Sequence, residues 1–172
     1  MARISQNCIG CFPRLETGYQ PQCVTTCIGR IRLQGYISPP DSVRPDNPID
    51  FLVHVKRVAL PLYPQTGLEP NVYYIPPIHV PTAFLRQMFG PGVDHALATY
   101  RRMREGEEPE LQALLHLFGS SERISHSFRV AGDEVIGFDE EGREIVRVPL
   151  RERFQQRPHH DPELDVVRQD IP

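Results

Sequence analysis

All four cysteines of this chain lie within its first 27 residues, and this clustering constrains its folding more than any other feature. The spacing is C-x2-C-x11-C-x3-C, and the residues are Cys8, Cys11, Cys23 and Cys27. Disulfides that staple a small secreted domain usually close loops throughout the chain. Clustered thiols instead favour a soft-metal site, because thiolates select zinc, copper(I) or iron–sulfur clusters. We therefore expect this segment to fold around metal ligation.

Two kinds of metal site fit the cysteine spacing. A C-x2-C pair followed by a second pair is typical of structural zinc, although the second gap there is usually two residues. The three-residue gap before Cys27 matches ferredoxin runs better, where a fourth cysteine after such a gap ligates a different cluster. On this interpretation Cys8, Cys11 and Cys23 serve one cluster and Cys27 serves another. The chain then completes neither cluster alone.

Two blocks of sequence carry a family resemblance. The first spans Cys8–Arg32 and contains C-I-G-C-F-P-R and P-Q-C-V-T-T-C-I-G-R-I-R. The second is N-V-Y-Y-I-P-P-I-H-V-P at Asn71–Pro81, preceded by V-A-L-P-L-Y-P at Val58–Pro64. Together they resemble the iron–sulfur beta subunits of respiratory nitrate reductase and of the ethylbenzene, dimethylsulfide, selenate, chlorate and nitrite-oxidising molybdenum enzymes. The resemblance runs from about residue 6 to about residue 153.

The resemblance implies an electron-transfer subunit. In that family electrons pass through [4Fe-4S] clusters between a molybdenum-containing catalytic subunit and a partner that bears haem b or another electron carrier. It implies that Cys8, Cys11 and Cys23 share a cluster with a cysteine upstream, while Cys27 completes the neighbouring cluster. We expect no substrate chemistry in this chain. The alternatives are a four-cysteine zinc module with a structural or binding role, and a truncated remnant unable to hold clusters alone.

The chain also departs from the family pattern. Family members carry three further cysteine motifs upstream, whereas here Met1 stands seven residues before Cys8. We therefore expect a match to the C-terminal part of such a subunit only, as a fragment, a split subunit or a truncated gene product. The upstream iron–sulfur portion is then a partner. Periplasmic relatives are carried by the twin-arginine signal of the catalytic subunit, so we expect the periplasm, with the cytoplasmic membrane face as the alternative.

The sequence divides into four segments. Residues 1–37 hold the last cysteine motif of a ferredoxin-like domain, and 38–81 form an extended, proline-rich connector. Residues 82–150 are predicted to be helical and then to form β-hairpins, and 151–172 are a charged tail. Twelve glycines and 18 prolines among 172 residues limit regular structure. The predicted fold is α+β with much irregular structure, in which short helices accompany a small antiparallel sheet as the C-terminal portion of a ferredoxin-like subunit.

Hydrophobic periodicity predicts individual elements. Alternation predicts a half-buried strand over 29–36, and strand and short helix stay open for 51–60. The predicted helices are 83–89, 92–104 and a third from Pro109 to a stop at Gly119. The predicted strands are 127–130, 134–138 and 144–148.

Six further residues are candidates for tuning a cluster or holding a partner. Arg14, Arg30 and Arg32 lie near the cysteines, where positive charge would raise a cluster's potential, although solvent or interface arginines are an equal alternative. Residues 61–81 contain six prolines and three tyrosines. We expect this segment, the interface strap, to lie against the catalytic subunit, with Tyr73, Tyr74 and His79 at the contact. Packing on the chain's own core is the alternative.

The charge pattern bears on nucleic acids as partners. The formal net charge is −3, with a balance of +5 over residues 1–104 and of −8 over residues 105–172, and neither block is strongly basic. Because nucleic-acid binding needs a concentrated basic face, we expect no nucleic-acid partner.

Overall fold

A computed structural model of the chain describes residues 8–150, 159–161 and 165–168. The helices are α1 (Phe12–Leu15), α2 (Gln22–Thr25), α3 (Pro48–Asp50), α4 (Thr82–Phe89), α5 (Val93–Arg104) and α6 (Pro109–Leu115). A π-helical turn at Phe51–Val55 continues α3, and a 3-10 turn covers Pro64–Thr66. The strands are β1 (Ser127–Ala131), β2 (Glu134–Phe138), β3 (Glu144–Pro149), β4 (His159–Asp161) and β5 (Val166–Arg168). The predicted combination of short helices with a small antiparallel sheet is confirmed.

The three longest helices lie where periodicity predicts them. α4 and α5 match the predictions for 83–89 and 92–104 to within one residue at each end. α6 begins at Pro109, where a proline removes no helical hydrogen bond. It ends four residues before Gly119, however, because the following N–H groups bond to carbonyls three residues back and tighten the chain into turns.

The larger sheet has the order β1-β2-β3 and is antiparallel throughout, as its three predicted strands require. α6 packs against one face of this sheet through Leu111 and Leu114, which are fully buried. Phe128 of β1 meets Phe51 edge-on, with 5.3 Å between the ring centroids. The π-helical turn thereby joins the same core, which settles residues 51–55 as helical and not as a strand.

A second, smaller core lies between α4 and α5. It is built from Leu85, Phe89, Val93 and Leu97. Side chains of the interface strap cover it, among them Ile78 and Val80. Part of the strap therefore packs on its own chain, which was the alternative for this segment.

The predicted strand over 29–36 is wrong. Residues 30–36 are irregular, Ile31 is 74% exposed, and Arg30 has a left-handed backbone with φ 47°. A strand needs a neighbouring strand for its backbone groups. Here side chains supply the partners: Gln34 N–H donates to the Gln20 amide oxygen at 3.4 Å, and the Asn47 amide donates to the Tyr36 carbonyl at 2.8 Å.

Residues 38–50 do not simply run extended over a surface. Asp50 has no exposed area, and its two carboxylate oxygens accept the backbone N–H groups of Ser38 at 2.8 Å and Arg44 at 3.0 Å. Asn47 caps α3 through a bond from Ile49 N–H to its side-chain oxygen at 3.0 Å. The loop is therefore wrapped around one buried carboxylate.

Most of the predicted tail, residues 151–172, lies outside the described residues. The exceptions are β4 and β5, which pair antiparallel with His159 opposite Arg168. No helix in the described ranges is both long enough and apolar enough to span a bilayer.

Candidate metal centre

The first cysteine pair lies on a tight turn that leads into α1. Gly10 and Cys11 both have left-handed backbones, with φ 69° and 54°. Glycine adopts this conformation without a steric cost, which explains its place between the two cysteines. The turn aims the Gly10 N–H at Cys8 Sγ, 3.3 Å away. Cys8 is exposed and Cys11 is half-buried.

The second pair lies on and just after α2, which begins behind Pro21. Cys23 is exposed and Cys27 is half-buried. Hydrogen bonds from the backbone N–H of Ile31, and secondarily of Gly29 and Arg30, lower the pKa of the Cys27 thiol, and the nearby Arg32 charge acts in the same direction. These effects outweigh partial desolvation, which raises the pKa. Successive N–H groups of this kind form an anion-binding concavity, which favours the thiolate form of Cys27.

The cysteines fit an iron–sulfur cluster in donor chemistry. All four thiols are free, and two of them receive backbone N–H groups, the kind of bond that tunes cluster sulfurs. In the described part of the chain, however, no three Cys, His, Asp or Glu side chains come together as a site for a single metal ion. The ligand sets assigned from the spacing therefore stay predictions.

The three arginines near the cysteines make different contacts. Arg32 donates to the Cys23 carbonyl at 3.0 Å and is the one whose charge acts on Cys27. Arg14 donates through Nε to the Gln20 carbonyl at 2.8 Å, and its guanidinium lies 5.7 Å from the centre of the Tyr19 ring. Arg14 therefore binds the backbone at Gln20, whereas Arg32 binds the backbone at Cys23 and places its positive charge near Cys27.

Arg30 packs on Gly119. A Cβ at Gly119 would stand 2.8 and 2.9 Å from Cβ and Cγ of Arg30, closer than real contacts allow. Cluster tuning by any of the three arginines stays a prediction.

Sequence reasoning missed Gln20, a buried polar residue that is 1% exposed. Its amide nitrogen donates to the carbonyls of Ser121 at 2.9 Å and Arg123 at 3.2 Å. These partners lie about a hundred positions away in the chain, so no local pattern could have found the residue. Asp50 was missed for a related reason: an aspartate in a loop predicts exposure, and only the fold buries it.

The residues predicted for the interface lie on two sides of the strap. Tyr73 is half-buried and packs on the core between α6 and the larger sheet. Tyr74 is 46% exposed, and its backbone bonds in both directions to Leu60 at 2.8 and 2.9 Å. His79 is exposed. The contact role of these residues stays a prediction.

Exposed apolar side chains surround the cysteines. Ile9 is 67% exposed, Phe12 53%, Ile28 100% and Ile31 74%. Large apolar residues this exposed, in one short segment, are unusual on the surface of a free-standing protein. The cysteine segment therefore presents an apolar as well as a thiol-rich surface.

Comparison with characterised proteins identifies the relatives of this chain. It is 38% identical to selenate reductase subunit beta of Thauera selenatis, over 69% of this chain and 41% of the relative. It is 38% identical to chlorate reductase subunit beta of Ideonella dechloratans over the same shares, and 35% identical to dimethylsulfide dehydrogenase subunit beta of Rhodovulum sulfidophilum over 64% and 38%. Over the part that matches, the chain is similar to these beta subunits.

These matches confirm the resemblance seen in the sequence. No protein-family model matches the chain. The chain spans about two fifths of the length of the relatives that it matches, at 41%, 41% and 38%.

Proposed function

We propose that this chain transfers electrons through [4Fe-4S] clusters, as part of a beta subunit of a molybdenum oxidoreductase. The observation that carries the proposal is its similarity to the selenate and chlorate reductase beta subunits, 38% identical over 69% of the chain. The cysteine spacing C-x2-C-x11-C-x3-C supports it, because the final three-residue gap is typical of cysteines that ligate two different clusters.

In this proposal Cys8, Cys11 and Cys23 ligate one cluster, whose fourth ligand comes from the upstream, ferredoxin-like portion of the subunit. Cys27 is a ligand of the neighbouring cluster. An iron–sulfur cluster supplies one-electron transfer, and the protein sets its potential through charge and hydrogen bonds. This chain contributes N–H groups at Cys8 and Cys27 and the positive charge of Arg32, all of which stabilise anionic sulfur.

The proposed partners are a molybdenum-containing catalytic subunit and a haem-bearing or other electron-transfer subunit. Tyr74 and Val72 of the strap are 46% and 56% exposed, and Phe84 of α4 is 62% exposed. We place the catalytic subunit against these side chains, because aromatic residues are enriched in protein interfaces. The apolar side chains around the cysteines face the upstream iron–sulfur portion. We propose the periplasm as the location, reached with the catalytic subunit.

Metal analysis tests the proposal. The chain is purified anaerobically, alone and after co-expression with its genomic neighbours, and iron, zinc and acid-labile sulfide are measured with a visible spectrum. Iron with matching sulfide and broad visible absorption in the co-expressed material supports cluster ligation. Stoichiometric zinc in colourless protein under both conditions refutes it and favours the four-cysteine zinc module. Absence of any metal under both conditions refutes both and favours a remnant.

A further inference from the structure

The side chain of Gln20 uses its whole hydrogen-bonding amide group, both N–H bonds and the oxygen, inside the protein. Nε2 donates to the carbonyls of Ser121 and Arg123 at 2.9 and 3.2 Å, and Oε1 accepts from Gln34 N–H at 3.4 Å. Because only 1% of the surface of Gln20 is exposed, water does not replace these hydrogen-bond partners. One side chain thus joins three stretches of chain: the cysteine segment before Cys23, the segment after Cys27, and the loop 119–124.

The loop 119–124 makes further contacts on the near side of the second cysteine pair, which is the chain before Cys23, and on its far side, which is the chain after Cys27. On the near side, Gln20 N–H donates to the Glu122 carbonyl at 2.8 Å, and Ile124 N–H donates to the Gly18 carbonyl at 2.9 Å. On the far side, Arg30 fits against Gly119, where a Cβ would stand less than 3 Å from its side chain.

Cation–aromatic contacts reinforce the near side. The guanidinium groups of Arg14 and Arg123 lie 5.7 and 5.0 Å from the centre of the Tyr19 ring. Arg123 comes from the loop and Arg14 from the cysteine segment, so that Tyr19 links the two through its ring. The loop 119–124 therefore supports the cysteine segment through hydrogen bonds and cation–aromatic contacts.

We propose that Gln20 is a positioning residue, which fixes Cys23 and Cys27 relative to the body of the subunit. Gln20 precedes Cys23 by three residues, and Gln34 follows Cys27 by seven. Because the amide bonds tie both ends of this stretch to each other and to the loop, they limit where the two sulfurs stand. This inference rests on the proposed function, in which those sulfurs are cluster ligands.

The first test measures amide hydrogen exchange in the chain without any metal. Gln20→Glu keeps the size and an acceptor but replaces both N–H donors with an oxygen that faces two carbonyls. Gln22→Glu is the matched control, because Gln22 lies in the same segment and is exposed. We expect exchange at residues 20–34 to rise about 10- to 100-fold in Gln20→Glu and to stay unchanged in α5 and α6. The proposal is overturned if exchange becomes faster throughout the chain, or if it does not become faster at residues 20–34.

The second test uses the co-expressed subunit and measures how fast iron is lost to a chelator, together with the electron paramagnetic resonance spectrum of the reduced protein. Removing support from metal ligands typically weakens metal retention about 10- to 100-fold. We expect Gln20→Glu to show that loss and an altered spectrum, with Gln22→Glu like wild type. Locally faster exchange with an unchanged spectrum and unchanged iron loss overturns the positioning role.

The two tests separate failure of this inference from failure of the proposed function. If the wild-type protein holds no iron and sulfide, the proposed function fails and the role of Gln20 toward a cluster fails with it. If wild type holds clusters and Gln20→Glu behaves like Gln22→Glu in both tests, only the inference about Gln20 fails.

Discussion

Replacing Asp50 with asparagine should destabilise the protein through a single lost hydrogen bond. The carboxylate is fully buried, and each of its oxygens accepts one backbone N–H, from Ser38 at 2.8 Å and from Arg44 at 3.0 Å. An asparagine keeps one acceptor and turns the other position into an NH2 group, which faces an N–H donor. A hydrogen bond to a charged group contributes about 1.5–3 kcal/mol, and an unsatisfied buried donor adds a penalty.

We therefore expect Asp50→Asn to lower the free energy of unfolding by about 2–4 kcal/mol. In a chain of this size each kcal/mol lowers Tm by about 2–4 °C, so the expected decrease in Tm is about 4–16 °C. Asp46→Asn is the matched control, because Asp46 is about half exposed and its ion pair with Arg44 is on the surface. Such pairs contribute about 0–1 kcal/mol, so this variant should stay within that range.

The pH dependence gives a second check on the same residue. Burial raises the pKa of Asp50, but the hydrogen bonds from Ser38 and Arg44 outweigh it and hold the pKa below its ordinary value. A carboxyl with a lower pKa in the folded state stabilises the fold above its unfolded-state pKa of about 3.9, and this contribution is lost as the pH falls through the folded-state value. The stability difference between wild type and Asp50→Asn should thus be full at neutral pH and shrink below about pH 4.

Urea unfolding followed by circular dichroism at several pH values measures both effects. The reasoning is refuted if Asp50→Asn unfolds at the same urea concentration as Asp46→Asn. It is also refuted if the difference from wild type is the same at pH 3 as at neutral pH, since the carboxylate would then not be the source.

Three further predictions concern the cysteines and the strap. In the co-expressed subunit, Cys8→Ser and Cys27→Ser should each alter a different cluster signal in electron paramagnetic resonance; loss of one and the same signal in both would contradict two-cluster ligation. In the metal-free chain, Arg32→Gln should raise the pKa of Cys27 and shift the pH profile of its alkylation upward, because a positive charge near the thiolate is removed; an unchanged profile would count against that contact. Tyr73→Ser should lower Tm because Tyr73 packs on the core. Tyr74→Ser should leave Tm unchanged and weaken co-purification of the catalytic subunit, because Tyr74 is exposed. Equal effects of the two variants on Tm would refute the assignment of Tyr73 to the core side of the strap and of Tyr74 to its exposed side.

Local pattern was sufficient for the helices α4 to α6 and the strands β1 to β3, but it did not predict β4 and β5 in the tail. α5 and the strands β1 to β3 repeat their apolar positions over enough residues for a period of 3.6 or 2 to be recognised. α1 and α2 have four residues each, too few for a period, and were not predicted. The alternation at 29–36 was real but misleading, because a strand also depends on a neighbour that this stretch does not have in the described structure.

The sequence by itself carried the thiol spacing of the candidate site and the resemblance to its relatives, because thiol spacing and long motifs are local properties of the chain. The tertiary structure alone decided which polar groups support it. The partners of Gln20 are about a hundred residues away, and the burial of Asp50 exists only once the loop 38–47 closes over it. Burial and hydrogen-bond partnership depend on which distant segments meet, and that is decided when the two cores pack and not by the order of neighbouring residues.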